Sequence, residues 1–242
     1  GDDRLAGRGG GDGLGGGAGR DVLLGGGGDD DLASVGGGRR DARELLSGGP
    51  GSDELVGTKG AERFVGGPGR DNVEGERGAD RVDVDGGGPD IVACRSFGRQ
   101  LEARVRADGA DLVQHCGAVR RSSAPRLWVG STGTVLDEFE DGRHGWISLW
   151  CSQDMPHGGC RGTVGVALRG DRPRPETEFH VRPGRYADEL PVPLPREARR
   201  RLERCGQARL VFLVRAADGG GRVWSTRRHD LARLERAEGP SC

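Results

Sequence analysis

Gly16-Gly17-Ala18-Gly19-Arg20-Asp21-Val22-Leu23-Leu24 runs without a gap into Gly25-Gly26-Gly27-Gly28-Asp29-Asp30-Asp31-Leu32-Ala33. Both stretches carry glycine at positions one, two and four, an acid at position six and a leucine at position eight. The pattern returns in full at 48–56 and, with Val73 in place of the leucine, at 66–74. Reduced to its acid, the period covers Asp3, Asp12, Asp21 and Asp30, then Asp53, Glu62, Asp71 and Asp80, with Asp90 one residue late. Two residues before each of these nine acids stands Gly, and two after stands an apolar side chain: Leu5, Leu14, Leu23, Leu32, Leu55, Phe64, Val73, Val82 and Val92. Glycine accepts the positive φ of a tight corner. A three-residue strand turns its middle side chain inward and its neighbours outward. A short repeat of corner, carboxylate and one buried side chain is the pattern of a stacked β-solenoid.

The consensus G-G-x-G-x-D-x-U-x, with U large and apolar, resembles the RTX (haemolysin-type) calcium-binding repeat over about residues 1–93. The resemblance implies a bacterial, actinobacterial-like protein with a parallel β-roll in which two nonapeptides make one coil. Acids eighteen apart then stack, pairing Asp3 with Asp21, Asp12 with Asp30, Asp53 with Asp71 and Glu62 with Asp80. All nine acids, Asp90 included, are expected metal ligands, holding several Ca²⁺ ions together with backbone carbonyls, since a hard cation prefers oxygen donors. The roll is expected to be largely disordered without calcium and to fold on binding it. Two blander readings are a disordered Gly/Asp linker and a solenoid without metal. Against them stand the apolar residue at each repeat and the retained acids.

The period breaks over residues 34–47, where Arg39 or Arg40 stands in an acid's place. That turn is expected to bind no ion and to loop out around Ala42-Arg43-Glu44-Leu45-Leu46. Glu62 is one methylene longer than Asp, and Arg8, Thr58-Lys59 and Glu76-Arg77 replace turn residues of their repeats.

Residues 1–93 hold 19 acids against 11 Lys/Arg, and the remainder 19 against 26. The acidic part suits cations. In the basic part the arginines are scattered, and the run Arg199-Arg200-Arg201 reads as a solvated helix face, so no nucleic-acid partner is expected. No apolar run approaches eighteen residues, so no membrane span is expected. Gly1 opens inside a repeat. We therefore expect the chain to continue upstream, with more repeats, a signal peptide or a catalytic domain.

Residues 94–120 read as a terminal cap. Asp90-Ile91-Val92-Ala93-Cys94 and Ala107-Asp108-Gly109-Ala110-Asp111-Leu112-Val113, followed by Cys116, resemble the last coil of RTX-like proteins. That resemblance implies a Cys94–Cys116 disulfide, with Leu112 and Val113 covering the open end. At Asp108 and Asp111 a plain turn is favoured over a further ion site. The six cysteines allow fifteen pairings. We expect Cys151–Cys160 and Cys205–Cys242 for the rest, with zinc ligation as the weaker alternative. Residues 121–125 read as a linker.

Residues 126–242 alternate in strand fashion at 127–129, 146–151, 163–168, 178–181, 207–214 and 222–226, with one helix from Pro195 to about Cys205 stopped by Gly206. The fold class is all-β: an N-terminal parallel β-roll and a C-terminal β-sandwich-like domain, of which an immunoglobulin-like arrangement is one form. Trp128, Trp146, Trp150, Phe179, Phe212 and Trp224 are the core candidates, an exposed aromatic platform being the alternative.

H-E-x-x-H and G-x-S-x-G do not occur, and the five histidines show no metal spacing. The glycine loop 11–16 follows no long strand. No catalytic or cofactor-binding residues are assigned, and the chain is read as not an enzyme. Three functions follow: a secreted or cell-surface calcium-binding structural or adhesion protein whose C-terminal domain meets a cell-surface or carbohydrate partner; the non-catalytic C-terminal part of a larger secreted RTX protease or lipase; and an ice- or carbohydrate-binding solenoid. An ice-binding surface would need a flat threonine ladder, which the repeats lack.

Overall fold

The computed structural model describes residues 1–35, 43–94, 103–129, 135–136, 144–156, 158–174 and 177–234. They form two compact units, Gly1–Pro125 with Ser152–Asp154, and Arg126–Cys151 with Met155–Cys242.

The first unit is a parallel solenoid of thirteen short strands: β1 (Arg4–Gly9), β2 (Gly13–Gly15), β3 (Val22–Gly27), β4 (Asp31–Ala33), β5 (Leu45–Ser47), β6 (Glu54–Val56), β7 (Arg63–Val65), β8 (Asn72–Glu74), β9 (Arg81–Val84), β10 (Ile91–Ala93), β11 (Arg104–Ala107), β12 (Leu112–Gln114) and β13 (Ala118–Arg121). Odd-numbered strands stack into one sheet and even-numbered strands into the other. Register places the apolar residue of each repeat above that of the next coil. One column runs Leu5, Leu23, Leu46, Phe64, Val82, Val105, Val119. The other runs Leu14, Leu32, Leu55, Val73, Val92, Val113. Together they make one core cluster, closed at its ends by half-buried Leu5, Leu14 and Val119.

Two expectations change here. The solenoid does not give way to a cap at residue 94: β11, β12 and β13 add further rungs, and Val113 belongs to the apolar column instead of lying across its end. Nor is Arg121 a linker residue. It ends β13, and the next N–H, that of Ser122, donates to Ala107 O at 3.0 Å. The exposed edge of β12 is met instead by Ser152–Asp154. Gln153 N donates to Val113 O, and the Gln153 amide exchanges two hydrogen bonds with the Cys116 backbone at 2.8 and 2.6 Å. An unpaired sheet edge invites association with other chains, and these bonds satisfy it. Cys94 and Cys116 are disulfide-bonded, joining the ends of β10 and β12.

The second unit contains β14 (Trp128–Val129), β15 (Val135–Leu136), β16 (His144–Trp150), β17 (Cys160–Leu168), β18 (Thr177–Val181), β19 (Tyr186–Pro193), α1 (Arg196–Cys205), β20 (Gln207–Ala217) and β21 (Val223–Leu234). A sheet ordered β14-β16-β19 and one ordered β15-β21-β20-β17-β18, antiparallel except for the β15–β21 pair, surround a single core with α1; three strands against five is not the strand partition of an immunoglobulin domain. Helix α1 stops where expected: Gly206 takes φ 65 and its N–H returns to Leu202 O at 2.8 Å. Cys151 and Cys160 are disulfide-bonded, and the pairing expected for Cys242 lies outside the described residues.

The tryptophans are placed differently from expectation. Phe179 and Phe212 are buried, but the inward positions along β14 with its preceding residue, and along β16, belong to Leu127, Val129, Ile147 and Leu149. Strand alternation then sends Trp128, Trp146 and Trp150 to the opposite face, where they are half-buried. There Trp128 and Trp150 meet edge to face, with centroids 5.0 Å apart. Trp224 is half-buried against the core.

Candidate metal centre

Each coil has two corners, so the acids fall on two edges of the solenoid. Along the first edge, the turns leading into even-numbered strands, the backbone N–H of each acid donates to Oδ1 of the acid one coil further on. Asp12 donates to Asp30 at 2.9 Å, Asp30 to Asp53 at 2.9 Å, Asp53 to Asp71 at 3.1 Å, Asp71 to Asp90 at 2.7 Å and Asp90 to Asp111 at 3.0 Å. The sequence separations are 18, 23, 18, 19 and 21, so the ladder passes unbroken through every irregularity of the repeat.

The second edge is interrupted. Asp3 N donates to Asp21 Oδ1 at 2.7 Å and Glu62 N to Asp80 Oδ1 at 3.0 Å. Between these pairs stands Glu44, which the sequence reading placed in a non-binding loop. It is 3% exposed and sits in the acid position: Leu45 N donates to Asp21 O and Arg63 N to Glu44 O. Arg39 and Arg40 lie outside the described residues. After Asp80 the acid position is filled by buried Ala103, which ends this ladder.

The second carboxylate oxygens are the informative atoms. Oδ2 of Asp12, Asp21, Asp30, Asp53, Asp71, Asp80 and Asp90, and Oε2 of Glu62, are buried with no hydrogen-bond partner. A buried charged oxygen without a partner is costly, and a cation is the natural partner for a row of them. The first glycine of the repeat leaves space beside each one but Asp90, where Asp85 stands five residues before the acid. A Cβ on Gly7 would stand 2.5 Å from Asp12 Oδ2 and 2.6 Å from Gly25 O. The same atom on Gly25, Gly48 or Gly66 would crowd Asp30, Asp53 or Asp71 more tightly still. Carboxylate and carbonyl oxygens therefore face the same small spaces, the donor set that Ca²⁺ takes. Among the described residues no three His, Cys, Asp or Glu side chains converge on one point, so each ion would rest on carboxylates from adjacent coils and backbone carbonyls.

The electrostatics agree. Burial first, then neighbouring carboxylates, raises Glu44 to about 7, Asp71 to about 6 and Asp90 to about 8. Asp53 and Asp80 move in the same direction for the same reasons. The carboxylates repel one another and have been stripped of water, a strain that divalent cations relieve.

Asp111 closes the first edge differently. Its Oδ1 accepts Asp90 N and its Oδ2 accepts Asp108 N at 2.6 Å, while Asp108 Oδ1 accepts Ala110 N, giving the plain turn that was favoured. The Arg121 guanidinium donates to the carbonyls of Asp108 and Asp111. Its other nitrogens bind Asp154 at 2.6 and 3.0 Å and Ser152 Oγ at 2.8 Å. A fixed organic cation thus finishes the ladder. Asp3, at the other end, is exposed.

Four copies of the RTX calcium-binding nonapeptide repeat match at residues 14–38, 47–82 and 56–89. The chain carries RTX calcium-binding repeats. The RTX repeats indicate calcium binding, and the matched stretches contain Asp21, Asp30, Asp53, Glu62, Asp71 and Asp80. Asp3, Asp12, Glu44, Asp90 and Asp111 lie outside them and join the ladders through the backbone hydrogen bonds. No curated protein and no solved structure matches the chain significantly. Among the described residues no helix is long and apolar enough to cross a membrane.

Proposed function

We propose that this protein is a secreted or cell-surface structural protein whose solenoid folds on calcium and presents the sandwich unit for adhesion or anchoring to a cell-surface or carbohydrate partner, without catalysis of its own. The ions sit along the first edge at Asp12, Asp30, Asp53, Asp71 and Asp90, and on the second edge at Asp3, Asp21, Glu62 and Asp80, with Glu44 added to that set. The observation that supports this most is the row of buried carboxylate oxygens without partners, those of Asp12, Asp21, Asp30, Asp53 and Asp71 each beside a glycine whose Cβ would stand 2.2–2.7 Å away. A non-catalytic role is supported by the same arrangement. The acids are spread one per corner and tied to backbone, whereas a general acid–base pair converges on one substrate-sized space.

Calorimetric Ca²⁺ titration paired with far-UV circular dichroism tests the reading. Several ions are expected to bind at sub-millimolar to millimolar concentration as β structure appears, with magnesium much weaker because it demands near-octahedral geometry. A spectrum identical in chelator and in millimolar calcium would refute folding on calcium.

A further inference from the structure

We infer that the outer face of the odd-stranded sheet is an anion-binding surface for a linear sulfated polysaccharide, assembled only when the solenoid is folded. Arg63, Arg81 and Arg104 occupy one register position in β7, β9 and β11. They stand on neighbouring rungs about 4.8 Å apart. All three are exposed, and none makes a side-chain hydrogen bond or ion pair among the described residues. Arg106, two residues along β11, is the contrast: it is held by Asp83 at 3.1 Å and Asp85 at 3.0 Å. Among the described residues the sheet therefore neutralises one arginine and leaves a row of three open.

That row borders a groove of about 1050 Å³ to which Arg20 and Arg43 also contribute. Its remaining walls include small or apolar side chains, Ala61, Ala79 and Ala118 among them, and the two acids Glu44 and Glu62. Both acids are buried ladder members, so ions bound at the second edge offset their charge and leave the groove to the guanidiniums. In this respect the inference rests on the calcium reading. Unfolded, the arginines are 18 and 23 residues apart in sequence and form no surface.

A comb of evenly spaced guanidiniums suits a stiff polymer that repeats its anions along an extended backbone, and each planar fork can hold two oxygens of one sulfate. Uronate chains bind calcium through their own carboxylates, whereas sulfate esters are poorer calcium ligands and stay available to arginine. Single-stranded nucleic acid would call for aromatic stacking platforms between the cations. The aromatic residue of these strands, Phe64, points into the core and is 0% exposed. A lipid surface would have to enter a groove.

The test is binding of dextran sulfate to the full chain in millimolar calcium, with uncharged dextran, polyuridylate and phosphatidylserine vesicles alongside. Dextran sulfate is expected to bind in a salt-sensitive way, dextran not at all. The triple variant R63Q/R81Q/R104Q is expected to lose about tenfold or more in affinity, with its calcium-induced circular dichroism unchanged, and Arg209→Gln to bind as the parent does. Should the triple variant fail to fold, Arg81→Gln alone is expected to weaken binding about threefold. Undiminished binding by the folded triple variant, or tighter arginine-dependent binding to polyuridylate or vesicles, would overturn the inference. Calcium-induced folding without any dextran sulfate binding would sink it and spare the calcium reading. Arginine-dependent binding that persists in chelator would remove the calcium requirement and keep the surface.

Discussion

Asp53 and Asp71 are joined through the backbone of one and the carboxylate of the other: Asp53 N donates to Asp71 Oδ1 at 3.1 Å, while Asp71 Oδ2 remains buried without a partner. The two oxygens of a single carboxylate thus have separate work. One fixes the stacking of adjacent coils and the other is left to a cation. Folding and ion binding are coupled in the same side chain, so neither can be weakened alone.

Asp71→Ala should therefore cost both. One calcium site with a Kd of about 0.1 mM, at about 1 mM free ion, contributes roughly 1.4 kcal/mol. In a unit of this size that is a fall in Tm of about 4–8 °C, and Asp21→Ala should behave alike. Asp31→Ala is the control, because Asp31 is exposed on the outer face of β4, and it should shift Tm by under about 1 °C. Thermal melts of the three variants in calcium check this, and an equal shift in all three would contradict it.

The two edges should differ in strength. Asp30 sits within the unbroken ladder, beside a glycine cradle, with both neighbours hydrogen-bonded to it. Glu62 has a preceding turn of Thr58-Lys59, and its Oε1 already accepts the Thr58 hydroxyl at 2.8 Å. Asp30→Asn is expected to weaken apparent calcium affinity about tenfold and Glu62→Gln under about threefold. Titration against a fluorescent chelator measures both, and the reverse ranking would show that the second edge carries the tighter ions.

The ladder was legible because an acid and an apolar residue two positions later survive even where glycines do not. Read that way, Glu44 with Leu46 and Asp111 with Val113 also qualify. Requiring a glycine two before the acid hid Glu44, whose predecessor there is Ala42, whereas Asp111 has Gly109 in that place and was hidden by its distance of twenty-one residues from Asp90. Edge membership was not legible, since it depends on counting coils through insertions of unknown path. The faces of Trp146 and Trp150 were equally hidden: alternation says that they share a face, and only the packing of Ile147 and Leu149 says which. Nothing local marks Ser152–Asp154 as the partner of β12, because that bond joins residues 37 to 39 apart.

Gly66→Ala isolates the ion's space from backbone strain. Gly66 does not have positive φ, so alanine is conformationally acceptable, yet its Cβ would collide with Asp71 Oδ2. The expected result is loss of one calcium from the calorimetric stoichiometry and a Tm fall in calcium of about the size seen for Asp71→Ala. Gly10→Ala is the opposite case, with φ 101 and open space around the new atom. It should cost about 1 kcal/mol of backbone strain with the stoichiometry kept.

Acid should partly replace calcium. In the metal-free solenoid Asp71 lies at about 6 and Asp90 at about 8, against an ordinary 3.8, through burial and then neighbouring carboxylates. A raised folded value means that the folded state holds protons the unfolded chain has released. The resulting stabilisation is complete below pH 3.8 and is lost as pH rises through about 6 to about 8. In chelator, β structure should thus be greater at pH 5 than at pH 8. In millimolar calcium the order should invert, because ions displace those protons more easily as pH rises. Circular dichroism at both pH values, with and without chelator, decides it; a chelated sample that gains structure towards pH 8 would contradict the assignment.

Arg121 is the last link. Its side chain is 6% exposed and bonds at once to Asp154, Ser152 and two carbonyls of the closing turn. Burial works against the Asp154 carboxylate, but hydrogen bonds from Arg121 and Ser152 hold its pKa below the ordinary value. This contribution is present above pH 3.8 and lost as pH falls through the lowered value. Arg121→Met strands the Asp154 charge and both carbonyls, at a cost of about 2–4 kcal/mol. Lys at 121 should recover little, since one ammonium on a flexible stem cannot make the four contacts of a planar guanidinium. Urea unfolding in saturating calcium is the measurement. If Met and the parent unfold at the same midpoint, the solenoid's end is held by the Cys94–Cys116 disulfide and the β12 edge bonds without need of this cation.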